Sequence, residues 1–137
     1  VGDRAVDFTL PSTQGTLCLS ELLRDGAVLL VFYPKDHTLV CTRQLCNYRD
    51  NLSVFDELGV RIAAINDDPI ETHREFANKY DFPFPLASDA DRRVCHAYGV
   101  LLDLFKLRRS LVLILHGTSR HWATPAPDWT PKGLCNN

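Results

Sequence analysis

Five cysteines, at positions 18, 41, 46, 95 and 135, are the residues of this 137-residue chain best suited to chemistry. Cys41 stands apart by its surroundings. It follows the apolar run Ala27 to Tyr33 (AVLLVFY) across the short loop PKDHTLV. It also opens a stretch with Leu45, Tyr48, Leu52, Phe55 and Leu58 at three- or four-residue spacing, which predicts one helix from Cys41 to Leu58. A thiol placed at a helix start beyond the end of a buried strand meets unpaired N–H groups and the positive end of the helix dipole, both of which favour the thiolate. Lowering a thiol pKa from about 8.5 to about 6 raises the thiolate fraction at pH 7 from roughly 3% to roughly 90%, only about thirty-fold. A larger acceleration needs fixed donors around the atoms that gain charge. The Thr38 hydroxyl, backbone amides near Val40 and Cys41, and a distant arginine are the candidates.

The elements that must position this thiol follow from periodicity. Ala27 to Tyr33, bounded by Gly26 and Pro34, reads as a strand covered on both faces. Val60 to Asn66, Pro85 to Ser88 and Leu111 to Leu115 supply three more strands. Pro69 stands at a first helical position before a helix whose Ile70, His73, Phe76, Ala77 and Tyr80 share a face. Asp89 can cap a shorter helix through Tyr98, ended by Gly99. Alternation of strands and helices predicts an α/β sandwich, a mixed sheet with a mainly parallel centre flanked by helices, whose last strand could run antiparallel. Phe8 to Leu19 reads as an accessory hairpin before a short helix from Ser20 to Arg24. From His116 the periodicity dissolves and three of the eight prolines fall in the tail. The expected organisation is therefore one domain over 1–115 with an irregular extension over 116–137.

Composition removes several function classes. The chain has 45% hydrophobic and 23% charged residues, and its 15 basic and 17 acidic side chains leave a net charge of -2. No basic face marks a nucleic-acid partner. No apolar run approaches the roughly 20 residues of a membrane-spanning helix. The odd number of cysteines fits thiols in a reducing compartment better than a secreted disulfide framework, so a cytoplasmic location is expected. A start at Val1 in a chain without methionine is read as a trimmed or processed end, which leaves an organelle open.

The string PKDHTLVC keeps the PxxxTxxC signature of peroxiredoxins, with Pro34, Thr38 and Cys41 at its fixed positions. The longer FYPKDHTLVCTRQLCNYRD resembles the bacterioferritin-comigratory-protein or PrxQ branch, whose members often read FYPKD, then TPxCTxE, then a second cysteine five residues on. EFANKYDFPFPLASDADRRVCHAYGV resembles a later stretch of the same family, and Arg109 in RSLVLI matches the arginine before its late core strand. The resemblance covers about residues 1–115. Leu39 and Val6 stand where the family commonly has proline, and the usual elements after Leu115 are hard to find.

The resemblance implies a thioredoxin-like fold, thiol peroxidase activity on hydrogen peroxide and small organic hydroperoxides, no metal or organic cofactor, a thioredoxin-type dithiol reductant, and a monomer. It implies that Cys41 attacks the peroxide and becomes a sulfenic acid. It further implies that Thr38 holds the peroxide, that Arg109 stabilises the thiolate and the developing charge, that Pro34 shapes the turn, and that Cys46 resolves the sulfenic acid to a Cys41 to Cys46 disulfide. Residues five apart in an intact α-helix have Cα atoms roughly 8.7 Å apart, whereas a disulfide tolerates about 7 Å. The helix start must therefore unwind before the bond closes.

Plainer readings stand beside these. Cys95 on an apolar helix face and Cys18 in the hairpin suit packing, and Cys135 an exposed tail position. Thr38 could serve only as a helix cap, Arg109 as a solvated charge, and Arg49 as a local partner of Asp50. His37, His73 and His116 read as surface or satisfied residues, and His121 gives no signal. His37, Cys41 and Cys46 have the ligand types of a zinc site, but no second ligand pair completes one. Two other functions compete: a thioredoxin-fold redox sensor or interaction protein without turnover, and a general disulfide reductase. The latter lacks its CxxC pair.

Overall fold

The computed structural model describes residues 6–100, 109–115 and 118–123. Strand β3 (Ala27–Phe32) is an interior strand of a seven-stranded sheet. It pairs in parallel with β4 (Val60–Asn66), and β4 in parallel with β5 (Leu86–Ser88). On its other side it pairs antiparallel with β6 (Ser110–Leu115). Because side chains alternate across a strand, the continuous apolar runs of β3 and β4 feed two cores. Val28, Leu30 and Phe32, with Ala63, Ile65, Val112 and Ile114, pack with Phe8, Leu17, Leu19, Val94 and Cys95 on one face. Leu29, Val31 and Tyr33, with Ile62, Ala64 and Leu111, pack with Cys41, Leu45, Tyr48, Phe55 and Phe76 on the other.

The predicted Cys41 to Leu58 helix is two helices, α2 (Leu39–Asp50) and α3 (Leu52–Glu57). Asn51 breaks it at φ -115 and ψ 20. Its backbone N–H still makes the helical bond to the Asn47 carbonyl at 3.2 Å, but its side-chain Nδ2 donates to the same oxygen at 2.8 Å, a local bond that competes with continuing the helix. Leu45, Tyr48, Leu52 and Phe55 still face one core, whereas Leu58 lies beyond α3 and is 55% exposed. Helix α4 (Ile70–Tyr80) begins after Pro69, which stands just outside it with extended ψ 154 rather than in its first turn. Asp89 caps α5 (Arg93–Ala97) from a distance, its carboxylate accepting the Val94 and Cys95 N–H groups at 3.3 and 2.8 Å. Gly99 follows at φ +68, as the expected stop requires.

Two expectations are corrected. The N-terminal hairpin, β1 (Thr9–Ser12) and β2 (Gly15–Cys18), is an edge of the main sheet rather than an accessory, because Ser12 pairs with Ala87 of β5. It leads into the short α1 (Leu19–Leu22) and a 3-10 turn, Leu23–Asp25. The tail expected to be irregular from residue 116 contains β7 (Thr118–Ala123), paired antiparallel with β6 at the opposite edge. Its sequence, TSRHWA, lacks apolar alternation, and backbone pairing with β6 supplies the order. Cys135, His116 and residues 124–137 lie outside the described residues.

Candidate active site

The antiparallel pairing of β6 sets Ser110 beside Phe32, so the start of β6 lies at the end of β3, where the loop leads into α2. That register delivers Arg109, immediately before β6, to the helix start. Cys41 is the third residue of α2 and only 1% exposed. One arm of the Arg109 guanidinium donates from Nη2 to Cys41 Sγ at 3.2 Å. The other arm donates from Nη1 to the side-chain oxygen of Gln44. Gln44 is buried one turn after Cys41 on the same helix face, and its Nε2 donates to the Tyr48 hydroxyl at 3.1 Å. A forked cation is thus held across a buried sulfur and a neutral amide, leaving its charge uncancelled by a carboxylate in that pair.

Thr38 precedes α2 with extended backbone (φ -89, ψ 151), and its carbonyl accepts the first helical bond, from the Thr42 N–H at 2.9 Å. Its hydroxyl does not cap the helix. It donates instead to the Lys35 carbonyl at 3.0 Å, closing the loop on itself, and Thr38 is exposed. Pro34, also exposed, begins this loop directly after Tyr33. Leu39, which stands where a second proline is common, is 74% exposed at the first position of α2. The structure therefore brings Cys41 and Arg109 into contact, keeps Thr38 at the helix entrance, and leaves Pro34 at the far end of the loop.

Cys46 lies five residues on in the same unbroken helix, half-buried, and both thiols are free. Burial pushes the Cys46 thiol up, with Asp50 adding to the rise and Arg49 opposing it. Arg49 pairs with Asp50 as expected, at 2.9 Å, and also donates to the Tyr80 carbonyl at 2.6 Å, tying the last turn of α2 to the end of α4. Cys95 is fully buried and pushed strongly upward by that burial and by Asp89, which suits a packing role. Cys18 is half-buried, and its thiol is pulled down chiefly by its hydrogen bond with Ser20 Oγ at 3.1 Å. Among the described residues no group of three or more histidine, cysteine or acidic side chains is arranged to hold a metal ion, and no helix is long and apolar enough to cross a membrane.

Sequence reasoning did not single out Gln44, although its three-residue spacing from Cys41 places both on one helix face. It also passed over Asp36, buried between the exposed Lys35 and His37.

The profile of the AhpC/TSA family matches residues 1–121. The chain belongs to that family. A bcp peroxiredoxin of Coxiella burnetii is 42% identical over 103 residues, 75% of this chain and 68% of that protein. The crystal structure of peroxidoxin BcpB from Mycobacterium tuberculosis superposes with a TM-score of 0.92 at 31% identity, covering 98% of this chain and 93% of the other. The bacterioferritin comigratory protein of Xanthomonas campestris, studied for alkyl peroxide reduction, superposes with a TM-score of 0.82 at 25% identity over 94% and 85% of the two chains. The chain spans about half the length of the chloroplast peroxiredoxin Q proteins it also matches. This AhpC/TSA member is thus similar to the bcp and Q peroxiredoxins, and its sheet and helices have the thioredoxin-like arrangement of those solved structures.

Proposed function

We propose that this chain is a thiol peroxidase that reduces hydrogen peroxide and small organic hydroperoxides at Cys41. The observation that carries the reading is the Arg109 guanidinium 3.2 Å from a buried cysteine sulfur at a helix start. The Cys41 thiolate attacks the terminal peroxide oxygen, an S–O bond forms and the O–O bond breaks. The sulfur is oxidised by two electrons, and water or an alcohol leaves after taking a proton. Arg109 attracts the anion on sulfur and, through its planar fork, the charge arriving on oxygen. Thr38 supplies a hydroxyl beside the incoming peroxide, and Pro34 shapes the loop that carries it.

Cys46 then attacks the sulfenic sulfur, forming the Cys41 to Cys46 disulfide and releasing water. Both cysteines stand in one intact helix, so the first turns of α2 unwind before this bond closes. The Arg49 tie to Tyr80 favours a break confined to the N-terminal half. A dithiol reductant of the thioredoxin type restores the two thiols, and the chain acts as a monomer in a reducing compartment such as the cytoplasm. Mass spectrometry after one equivalent of peroxide tests the scheme. Wild type should lose the thiols at 41 and 46 together, Cys46→Ser should hold a sulfenic acid at 41, and Cys41→Ser should not turn over. Oxidation once without recycling by a dithiol would make the chain a sensor, and a bridge from Cys41 to another cysteine would reassign the resolver.

A further inference from the structure

Beneath the loop joining β3 to α2 lies a buried polar cluster that the chemistry above does not use. Asp36 Oδ1 accepts the Tyr33 hydroxyl at 2.5 Å and Asn66 Nδ2 at 3.3 Å, and its Oδ2 stands 2.5 Å from His73 Nδ1. The Asp36 N–H donates to Asp68 Oδ2 at 2.7 Å. His73, on α4 and 0% exposed, places Nε2 3.1 Å from the Ala87 carbonyl of β5. A carbonyl only accepts, so Nε2 carries a hydrogen, and the close approach on the other side holds one further proton between Nδ1 and Oδ2. The pair is neutral as a unit. Tyr33 just after β3, Asn66 of β4 and His73 of α4 thus converge on one carboxylate of the loop, and the Ala87 carbonyl of β5 holds the far side of the His73 ring.

The loop itself is strained. His37, next to Asp36, has φ +62, a left-handed conformation that a side chain adopts only where its surroundings enforce it. The exposed His37 ring rests against Phe76, with centroids 4.9 Å apart. A buried ion pair is a weak source of stability, since apolar replacements are often as stable, but its bonds are directional and fix geometry.

We propose that the Asp36 and His73 pair is the positioning element of the peroxide-binding loop, holding Thr38 and the entrance of α2 in place for the incoming peroxide. The inference rests on the thiol peroxidase reading. It assigns the pair to the peroxide step and leaves the thiol's own nucleophilicity to Arg109 and the helix. Neither residue touches the reacting atoms; both act through the loop.

Two second-order rates at Cys41, with hydrogen peroxide and with iodoacetamide, separate these roles, because alkylation needs the thiolate but not the peroxide geometry. His73→Gln strips the compensating proton from a buried carboxylate. The expected result is a peroxide rate lowered about 30-fold with the iodoacetamide rate within about threefold of wild type. Adding Asp36→Asn restores neutrality and a donor facing an acceptor, and should return the peroxide rate to within about threefold of wild type. Should His73→Gln not fold, the apolar triple Tyr33→Phe, Asp36→Val, His73→Leu removes the clamp without leaving a buried charge and should show the same selective loss. Equal loss of both rates, an unchanged peroxide rate, or no rescue by Asp36→Asn would overturn the proposal. A wild-type thiol no faster with peroxide than free cysteine would instead sink the peroxidase reading, whatever the variants do.

Discussion

Replacing Arg109 with methionine keeps an apolar stem and removes the cation and both donors. At the 3.2 Å separation from Cys41 Sγ and an effective dielectric of about 20, Coulomb's law gives an attraction of about 5 kcal/mol for the thiolate. Water entering the vacated space recovers roughly half, which leaves about 2 to 3 kcal/mol; where that attraction is kept on the anionic transition state, its loss is roughly 30- to 150-fold in the rate of peroxide attack, thiolate population alone accounting for no more than about thirty-fold at pH 7. The substitution also strips the donor from the buried Gln44 oxygen, a cost to folding of about 1 to 3 kcal/mol. The two effects are measured apart, the first by rapid-quench mass spectrometry of the oxygen added to Cys41 and the second by urea unfolding of the reduced protein. Arg109→Lys keeps the charge but can serve only one of the two acceptors, and should fall between wild type and Arg109→Met. A peroxide rate for Arg109→Met within about fivefold of wild type, in a folded protein, would show that the 3.2 Å contact does not carry the chemistry.

Hydrogen exchange should show amides from Thr42 to Tyr48 well protected in the reduced form and exposed in the disulfide form, with those near Arg49 changing less; equal protection in both states would refute the unwinding. Because the Cys46 thiol is pushed up, its thiolate is scarce at neutral pH, and closure of the disulfide should accelerate about tenfold per pH unit from pH 7 to 8 in stopped-flow measurements unless unwinding limits it. Burial, aided by Asp36, pushes Tyr33 well up, and burial pushes Tyr48 up as well. Their folded values lie above their unfolded ones, so their contribution is fully present below about pH 10 and is lost above it, at about 2.7 kcal/mol per pH unit for the two, readable in alkaline unfolding. Gly26→Ala should cost about 3 kcal/mol in denaturant unfolding, since φ there is +138 and an added Cβ would lie 2.6 Å from the Gly59 carbonyl oxygen.

What could be read in the sequence follows the physics of each signal. Runs buried on both faces announce themselves, so the strands at Ala27–Phe32 and Val60–Asn66 fall where the apolar stretches place them. The break at Asn51 depends on one side chain competing for a helix carbonyl, which a periodic stripe continuing to Phe55 conceals. The hairpin joins the sheet through the register pair of Ser12 with Ala87 and the bonds between Thr13 and Leu86, and such pairing leaves no mark on composition. The same holds for Thr118–Ala123. At the site, Cys41 was legible from a strand end followed by a helix start. Arg109 needed the family likeness, because nothing local tells a residue 68 positions away that it will meet a sulfur. Gln44 and Asp36 are polar residues whose burial is decided by partners on other elements, and a one-dimensional pattern assigns such residues to solvent, whereas His73 fell on the predicted buried face of its helix without its partner Asp36 being legible.

That the guanidinium comes from so late in the chain has a bearing on biosynthesis. A polypeptide emerging from the ribosome presents Cys41 well before β6 has been made, and until β6 docks antiparallel beside β3 the sulfur has no cation at its side. If Cys41 is the peroxidatic thiol proposed above, its full reactivity toward oxidants waits on the completion of the sheet, and a chain ending ahead of residue 109 lacks the guanidinium that the proposal assigns to that sulfur.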